Sequence, residues 1–173
     1  MAARQRMVAV KGAILSLLID AYQKRDQVGM IAFRGQAARL VLPPTNSAEL
    51  AQRHLQQLPT GGRTPLAHAL HLAEQTLQKY QNNQYVPLLI LISDCRANVP
   101  LRSGSSLLAA QTEVLQLAHH LADRQISSLV VETGGKRGRG GFAQRVAQAL
   151  SGEWLRLEGL SAETLMKQIH HRR

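Results

Sequence analysis

Residues 85–93, YVPLLILIS, form a continuous apolar run, and this run constrains the fold more than any other feature of the sequence. A strand with apolar side chains on both faces is typical of a parallel sheet that helices cover on both sides. Pro87 lies near the start of the run, where its missing N–H disturbs the sheet least. The run therefore predicts a buried strand of an α/β domain.

Helix and strand patterns alternate around this run. Apolar residues at steps of three and four predict helices over residues 3–24, 46–58, 64–80, 106–124 and 142–150. Short apolar runs predict further strands over residues 27–33, 37–42, 127–132 and 153–157. The first two of these strands are expected to form a hairpin, which Pro43 and Pro44 end. Asn46 is expected to cap the next helix, with Glu49 completing a capping box, and Ser161 to cap a last helix.

The alternation predicts a single α/β domain over residues 1–173, with a mostly parallel sheet, helices on both faces and one antiparallel edge strand. The chain has one cysteine, Cys95, which excludes an intramolecular disulfide and a cysteine-based zinc site. No apolar run approaches the roughly 20 residues that a membrane-spanning helix needs. We therefore expect a cytoplasmic protein without a membrane span.

The chain is strongly basic, with 21 Lys and Arg against 11 Asp and Glu and a formal net charge of +10. Such a charge favours a negatively charged partner, and a basic nucleic-acid-binding domain is one alternative. Aromatic residues make up only 3% of the chain, so the stacking platforms of most single-strand binders are scarce. Acidic proteins and anionic lipid surfaces are the other partners that such a charge favours.

Ligand sites in α/β sheets gather where strands end, and two oxygen-bearing residues fall in such loops. Thr64 precedes a predicted helix, and Asp94 directly follows the run of residues 85–93. Both side chains offer the oxygen ligands that Mg²⁺ prefers. Taken alone, a threonine at a helix start and an aspartate after a strand are also ordinary capping and turn residues.

Other candidate sites are weaker. The segment TGGKRGRGG, residues 133–141, matches neither the Walker A motif nor the dinucleotide-binding fingerprint, and a solvated basic loop explains it better. His68 and His71 lie one helical turn apart, but a polar helix face is the simpler interpretation. No nucleophile and base occur in a recognisable arrangement. The residues therefore indicate a chain that is not an enzyme on its own.

Four segments together resemble a known family: DQVGMIAFRG, LPPTNSAELA, LPTGGRTPLAHAL and PLLILISDCRANVPL. They are similar to the Rossmann-like von Willebrand factor A (VWA) domain at the C-terminal end of the magnesium chelatase D subunit. Such domains carry a metal-ion-dependent adhesion site made of Asp-x-Ser-x-Ser, a threonine and an aspartate. Thr64 and Asp94 match the last two elements. The resemblance implies a Mg²⁺ ion on these oxygens that binds an acidic group of a partner, in a chelatase-like complex driven by an AAA+ ATPase subunit.

The chain departs from this family because Asp-x-Ser-x-Ser occurs nowhere in it. The family's first strand, which is central and lies between residues 27–33 and 85–93, is expected to be missing, leaving both neighbours with an unpaired edge. Two oxygen ligands alone predict weak or absent Mg²⁺ binding. Three explanations stay open: a start further upstream, a broken and non-functional gene, or complementation by another chain. The family usually has glycine where this chain has Cys95.

Overall fold

A computed structural model describes residues 2–58, 62–80, 85–101, 106–134 and 141–157, with the backbone alone for residues 2–7 and 9. Its helices are α1 (Ala2–Gln23), α2 (Ala48–Gln57), α3 (Leu66–Tyr80), α4 (Leu107–Asp123) and α5 (Gly141–Ala149). Its strands are β1 (Val28–Arg34), β2 (Ala37–Thr45), β3 (Leu88–Ser93), β4 (Ser127–Glu132) and β5 (Glu153–Arg156). The predicted α/β class is confirmed.

The described strands form two sheets. β1 and β2 pair as an antiparallel hairpin, and β3, β4 and β5 form a parallel sheet with β4 in the centre. Within these residues β1 pairs only with β2, and β3 only with β4. Among the described residues, one edge of β1 and one edge of β3 therefore have no strand beside them, as expected from the sequence.

The hairpin differs from the prediction at its second strand. β2 continues through both prolines to Thr45, which pairs with Val28, so the expectation that Pro43 and Pro44 end the strand is wrong. β2 lies at the edge of its sheet, where a residue without an N–H costs no ladder hydrogen bond on the open side. Gly35 in the turn has a φ of 70°, a left-handed conformation that glycine adopts without strain.

Serine hydroxyl groups begin two of the helices. Ser47, and not Asn46, caps α2, because its Oγ accepts a hydrogen bond from the N–H of Leu50 at 3.3 Å. Ser106 caps α4 in the same way through the N–H of Ala109 at 3.2 Å. β3 begins at Leu88, directly after Pro87, and is thus shorter than the predicted strand over residues 85–93. The predicted cap at Ser161 lies outside the described residues.

Three apolar clusters hold these elements together. The largest packs α3, α4 and α5 against one face of the parallel sheet and contains Leu66, Leu70, Leu91, Val114, Leu121, Val130 and Val146. The second packs α1 against the opposite face and contains Val10, Ala13, Leu129, Val131 and Leu157. The third packs α1 and α2 against the hairpin and contains Leu18, Leu42, Ala51 and Leu55. None of the helices among the described residues is long and apolar enough to cross a membrane.

Candidate functional site

Thr64 and Asp94 meet at the carboxyl edge of the parallel sheet. Asp94 is the first residue after β3, and Thr64 lies two residues before α3. The Thr64 hydroxyl donates a hydrogen bond to Asp94 Oδ1 at 3.1 Å, across 30 residues of sequence. Thr64 is only 8% exposed, whereas the Asp94 side chain is 34% exposed. The structure therefore brings the two predicted site residues together and leaves the carboxylate open to solvent.

Asn98 fixes the position of Thr64 from the loop after β3. Its side-chain Oδ1 accepts a hydrogen bond from the backbone N–H of Thr64 at 2.7 Å. The side chain thus joins the loop after β3 to the start of α3, as an amide does when it takes the place of a backbone acceptor. Sequence reasoning did not single out Asn98, and its position four residues after Asp94 was the available signal.

Arg96 neutralises the carboxylate of Asp94. Its Nε lies 3.2 Å from Asp94 Oδ2, and its backbone N–H donates to Asp94 Oδ1 at 3.3 Å. The Arg96 side chain is 76% exposed, so solvent screens the pair and the net stabilisation is about 0–1 kcal/mol. The ion pair between Arg96 and Asp94 is therefore weak. A competing cation or partner could displace the guanidinium group from the carboxylate.

The turn after β3 is compact and partly left-handed. Cys95 has a φ of 52° and Ala97 a φ of 44°. The N–H of Cys95 donates to the Ser93 hydroxyl at 3.0 Å, which folds the turn back on the strand end. Glycine adopts such a conformation more readily than cysteine does, which explains physically why glycine suits this position. Cys95 nevertheless adopts this conformation, and its N–H forms the hydrogen bond to Ser93.

Burial controls the chemistry of the Cys95 thiol, which is 3% exposed. Desolvation raises its pKa from 9.0 to about 12, and the negative charges of Glu132 and Asp94 add to the rise. A thiol with so high a pKa stays protonated at neutral pH and is a poor nucleophile and a poor metal ligand. Cys95 therefore acts as a small apolar residue of the core cluster.

Glu132 is a buried carboxylate at the end of β4, and sequence reasoning did not single it out. It is 4% exposed, and its Oε2 accepts a hydrogen bond from the indole N–H of Trp154 at 3.1 Å. Arg156 Nε lies 3.7 Å from the same oxygen. Both partners come from β5, so the Glu132 side chain links β5 to β4. Its carboxylate is engaged by these contacts within the sheet.

The oxygen atoms at this edge fit a magnesium shell only in part. Thr64 and Asp94 supply one hydroxyl and one carboxylate, where Mg²⁺ requires octahedral coordination by oxygens and usually keeps several waters. The part of the chain that the structure describes contains no group of three His, Cys, Asp or Glu residues that could hold a metal ion. Thr64 and Asp94 could fill two coordination positions of a Mg²⁺ ion. The remaining positions need oxygens from water or from another segment.

The two candidate histidines, His68 and His71, contact different groups. His68 Nε2 lies 3.2 Å from the carbonyl oxygen of Pro100, and His71 Nε2 lies 3.2 Å from the side-chain amide of Gln75. This arrangement supports the interpretation of a polar helix face. Of the basic segment over residues 133–141, residues 135–140 lie outside the described part.

The chain belongs to a known class of domains. The family model for the von Willebrand factor type A domain matches residues 1–96 of this chain. The match covers more than half of the chain, so the chain belongs to the von Willebrand factor type A family. The family resemblance that the sequence motifs indicate is confirmed.

Particular relatives add detail. The chain is 36% identical over 169 residues to an uncharacterized protein of Methanocaldococcus jannaschii, covering 96% of this chain and 94% of that protein. It is 38% identical over 173 residues to the magnesium-chelatase 67 kDa subunit of Chlorobaculum parvum, covering 95% of this chain but only 28% of that subunit. The chain therefore corresponds to about a quarter of the chelatase subunit.

The fold is also similar to a solved structure. The conserved hypothetical protein BatB from Bacteroides thetaiotaomicron superposes with a TM-score of 0.67 at 20% sequence identity, covering 95% of this chain and 88% of that chain. At this level of identity the likeness supports the fold alone.

Proposed function

We propose that this chain is a single VWA-type docking domain, non-catalytic on its own, that binds a partner protein through the edge formed by Thr64 and Asp94. The observation that carries this proposal is the 3.1 Å contact between Thr64 Oγ1 and Asp94 Oδ1. A solvent-accessible carboxylate held by a buried hydroxyl is suited to binding a cation and, through it, an acidic group. By similarity to the chelatase subunit, the partner is the AAA+ ATPase subunit of a chelatase-like complex in the cytoplasm.

In this mechanism the protein's own residues position the docking edge. Asn98 holds the backbone of Thr64, Thr64 orients the carboxylate of Asp94, and Arg96 balances that carboxylate while no partner is bound. Mg²⁺, when bound on Thr64 and Asp94, would supply a positive charge that attracts an acidic group of the partner. Since two protein oxygens form only part of a shell, we expect the affinity for Mg²⁺ alone to be low.

The local chemistry supports docking better than catalysis. The described residues at this edge offer a hydroxyl that is hydrogen-bonded to a carboxylate, and a thiol whose pKa of about 12 keeps it protonated. Neither arrangement activates a nucleophile at neutral pH. The edge is therefore better suited to holding a cation that contacts an acidic group than to nucleophilic catalysis.

Binding of the AAA+ ATPase subunit of a bacterial magnesium chelatase tests the proposal. We expect binding in excess Mg²⁺ to weaken at least about tenfold when a chelator removes the ion, or in Asp94→Ala and Thr64→Ala, since each change removes part of a charged contact. Asp123→Ala and Thr112→Ala, at exposed positions on α4, are matched controls that leave binding unchanged. Binding that survives both site substitutions with the fold intact would contradict the mechanism.

The net charge of +10 supports one alternative, a nucleic-acid-binding domain. Phosphate contacts release counterions, so such binding falls steeply with salt and does not respond to a chelator. Titration of the chain with a fluorescent duplex at several salt concentrations separates the two functions. Strong, salt-sensitive binding that Asp94→Ala leaves unchanged would favour the alternative.

A further inference from the structure

One peptide group in the loop after β3 is held from both sides. His68 Nε2 lies 3.2 Å from the carbonyl oxygen of Pro100. The backbone N–H of Leu101 donates to Glu113 Oε2 at 2.7 Å. This carbonyl and this N–H belong to the same peptide group, which joins Pro100 to Leu101. We call this peptide group, together with the side chains of His68 and Glu113, the peptide clamp.

The two side chains of the peptide clamp come from different helices. His68 lies in the first turn of α3, and Glu113 lies in the second turn of α4. Because a carbonyl oxygen can only accept a hydrogen bond, His68 Nε2 carries the hydrogen of the first contact. The C=O and N–H of a trans peptide group point in opposite directions. The peptide clamp therefore fixes the loop to both helices at once.

The chemistry of the peptide clamp favours strong hydrogen bonds. A carboxylate that accepts from an N–H forms a shorter and stronger bond than a neutral acceptor does, and the 2.7 Å distance at Glu113 agrees with this. A donor on the C=O and a carboxylate on the N–H of one peptide group also polarise each other. His68 and Glu113 are both half-buried, which limits competition from water. The clamp is therefore suited to holding the loop in one position.

The chain between the peptide clamp and Asn98 has little backbone freedom. The ring of Pro100 fixes the φ angle of that residue, and the residue before a proline is restricted to extended conformations. That residue is Val99, which is only 4% exposed and is thus also held by packing. A shift of the clamp is therefore passed on to Asn98 and is not absorbed between them.

Asn98 connects the peptide clamp to the docking edge. Its Oδ1 accepts a hydrogen bond from the N–H of Thr64 at 2.7 Å. The Thr64 hydroxyl in turn donates to Asp94 Oδ1 at 3.1 Å, and Asp94 begins the same loop. The start of α3 therefore contacts the loop at three successive places, which are Asp94, Asn98 and the clamp.

We propose that His68 and Glu113 are positioning residues of the docking edge. The peptide clamp holds the loop so that Asn98 keeps Thr64 aligned with Asp94. Neither clamp side chain has to contact the partner or a metal ion, because the effect on docking passes through the edge. This inference rests on the proposed docking function and adds two residues on which the affinity of the edge depends.

Hydrogen exchange of the full chain, followed by NMR without Mg²⁺ or a partner, tests the peptide clamp itself. In Glu113→Ala we expect the Thr64 amide to exchange about tenfold faster, because losing a hydrogen bond to a charged group makes opening of the loop easier. Amides of residues 39–42 in β2, which open without the loop, should not change. Glu113→Gln keeps an oxygen acceptor and should restore most of the protection.

His68→Ala tests the other half of the peptide clamp. We expect the Thr64 amide to exchange faster, but by less than in Glu113→Ala, because the lost bond ends on a neutral carbonyl. His71→Ala on α3 and Gln116→Ala on α4, both at exposed positions, are matched controls that leave this amide unchanged. An unchanged Thr64 exchange rate in both clamp variants would overturn the proposal.

A double-mutant cycle tests whether the peptide clamp acts through the docking edge. The probe is the AAA+ ATPase subunit of a bacterial magnesium chelatase in excess Mg²⁺. We expect Glu113→Ala to weaken binding about tenfold, and to have no further effect in a chain that already carries Asp94→Ala. Equal losses in both backgrounds would show that the effect bypasses the edge, and would overturn the proposal.

The two measurements separate this proposal from the docking function. Binding that Asp94→Ala alone leaves unchanged would refute docking through the edge. The exchange rate of the Thr64 amide would still decide whether the peptide clamp holds the edge, because that rate is measured without a partner.

Discussion

The parallel sheet and the hairpin are built from strands of similar apolar character, but they are buried to different degrees. β4 lies between two strands and two helical layers, and its residues 128–132 are all buried. β1 contains no buried residue, although VGMIAFR is mostly apolar. The difference teaches that apolar side chains alone do not bury a strand, and that neighbours on both edges are also needed.

The apolar clusters of the two regions also differ in their number of buried residues. The cluster around α3, α4 and α5 contains sixteen buried residues, whereas the cluster under the hairpin contains four. Local opening therefore requires the least free energy in the hairpin and the most in the parallel sheet. The docking edge lies where the two parts meet, since Arg63 accepts a hydrogen bond from Gly35 of the hairpin turn and the next residue, Thr64, contacts Asp94 at the end of β3.

The largest expected effect is a truncation in the parallel sheet. Leu129→Ala on β4 should lower the free energy of unfolding by about 4 kcal/mol, because β4 has a strand on each side and the cavity cannot close easily. Leu42→Ala on β2 should lower it by about 2 kcal/mol, because β2 has one described neighbour and its surroundings can collapse around the cavity. Both leucines are nearly fully buried in the native chain. Urea denaturation measures both values. Equal losses would break the comparison between the two sheets.

A glycine substitution probes how closely the parallel sheet is packed. A Cβ atom on Gly152 would lie 2.5 Å from the carbonyl oxygen of Ser128, which is backbone and cannot move freely. Gly152→Ala should therefore destabilise the chain by about 1–3 kcal/mol. Gly141→Ala is the control, since no atom of the described residues lies within 4 Å of its Cβ position. Thermal unfolding of the two variants should differ clearly, and equal melting temperatures would contradict the tight packing.

Alkaline pH should weaken the fold through Cys95. The folded pKa of about 12 exceeds the ordinary value of 9.0, so the folded state holds the thiol proton that the unfolded state loses. Stability is then fully present below pH 9 and falls as the pH rises towards 12, by about 1 kcal/mol at about pH 10. Cys95→Ala should remove this part of the pH dependence in urea titrations at several pH values. A dependence that is the same in the variant would assign it to other groups.

The smallest expected effect is a stabilisation of α1, which covers both sheets. Gly12 lies within α1, and in the described part of the chain nothing lies within 4 Å of its Cβ position. Gly12→Ala should raise the free energy of unfolding by about 0.5–1 kcal/mol, because alanine loses less backbone entropy in a helix. Ala13→Gly is the reverse control and should destabilise by a similar or larger amount, since Ala13 is buried. A decrease in stability for Gly12→Ala would indicate a contact at this face of α1.

Much of the fold follows from short-range patterns. β4 lies over the predicted residues 127–132, and α4 differs from its predicted bounds by one residue at each end, since helical spacing and capping act locally. The predicted end of β2 was wrong, because a strand can contain Pro43 and Pro44 only where their missing N–H groups face an open edge. That is a property of the sheet and not of the local sequence.

The candidate site was predictable only in part. Thr64 and Asp94 could be found from their places in the motifs, and the structure brings them together. Asn98 and Arg96 were not singled out, because their roles depend on the left-handed turn after β3. The burial of Glu132 likewise depends on β5 lying beside β4.

Residue-resolved hydrogen exchange by NMR on the unliganded chain tests most directly whether β1 and β3 have open edges. We expect the amides of residues 128–132 in β4 to exchange slowest. In residues 88–93 and 28–34, we expect alternate amides, those that point away from the paired neighbour, to exchange much faster. Uniformly slow exchange along β3, equal to that of β4, would mean that its second edge is already paired, and would contradict the two-sheet arrangement.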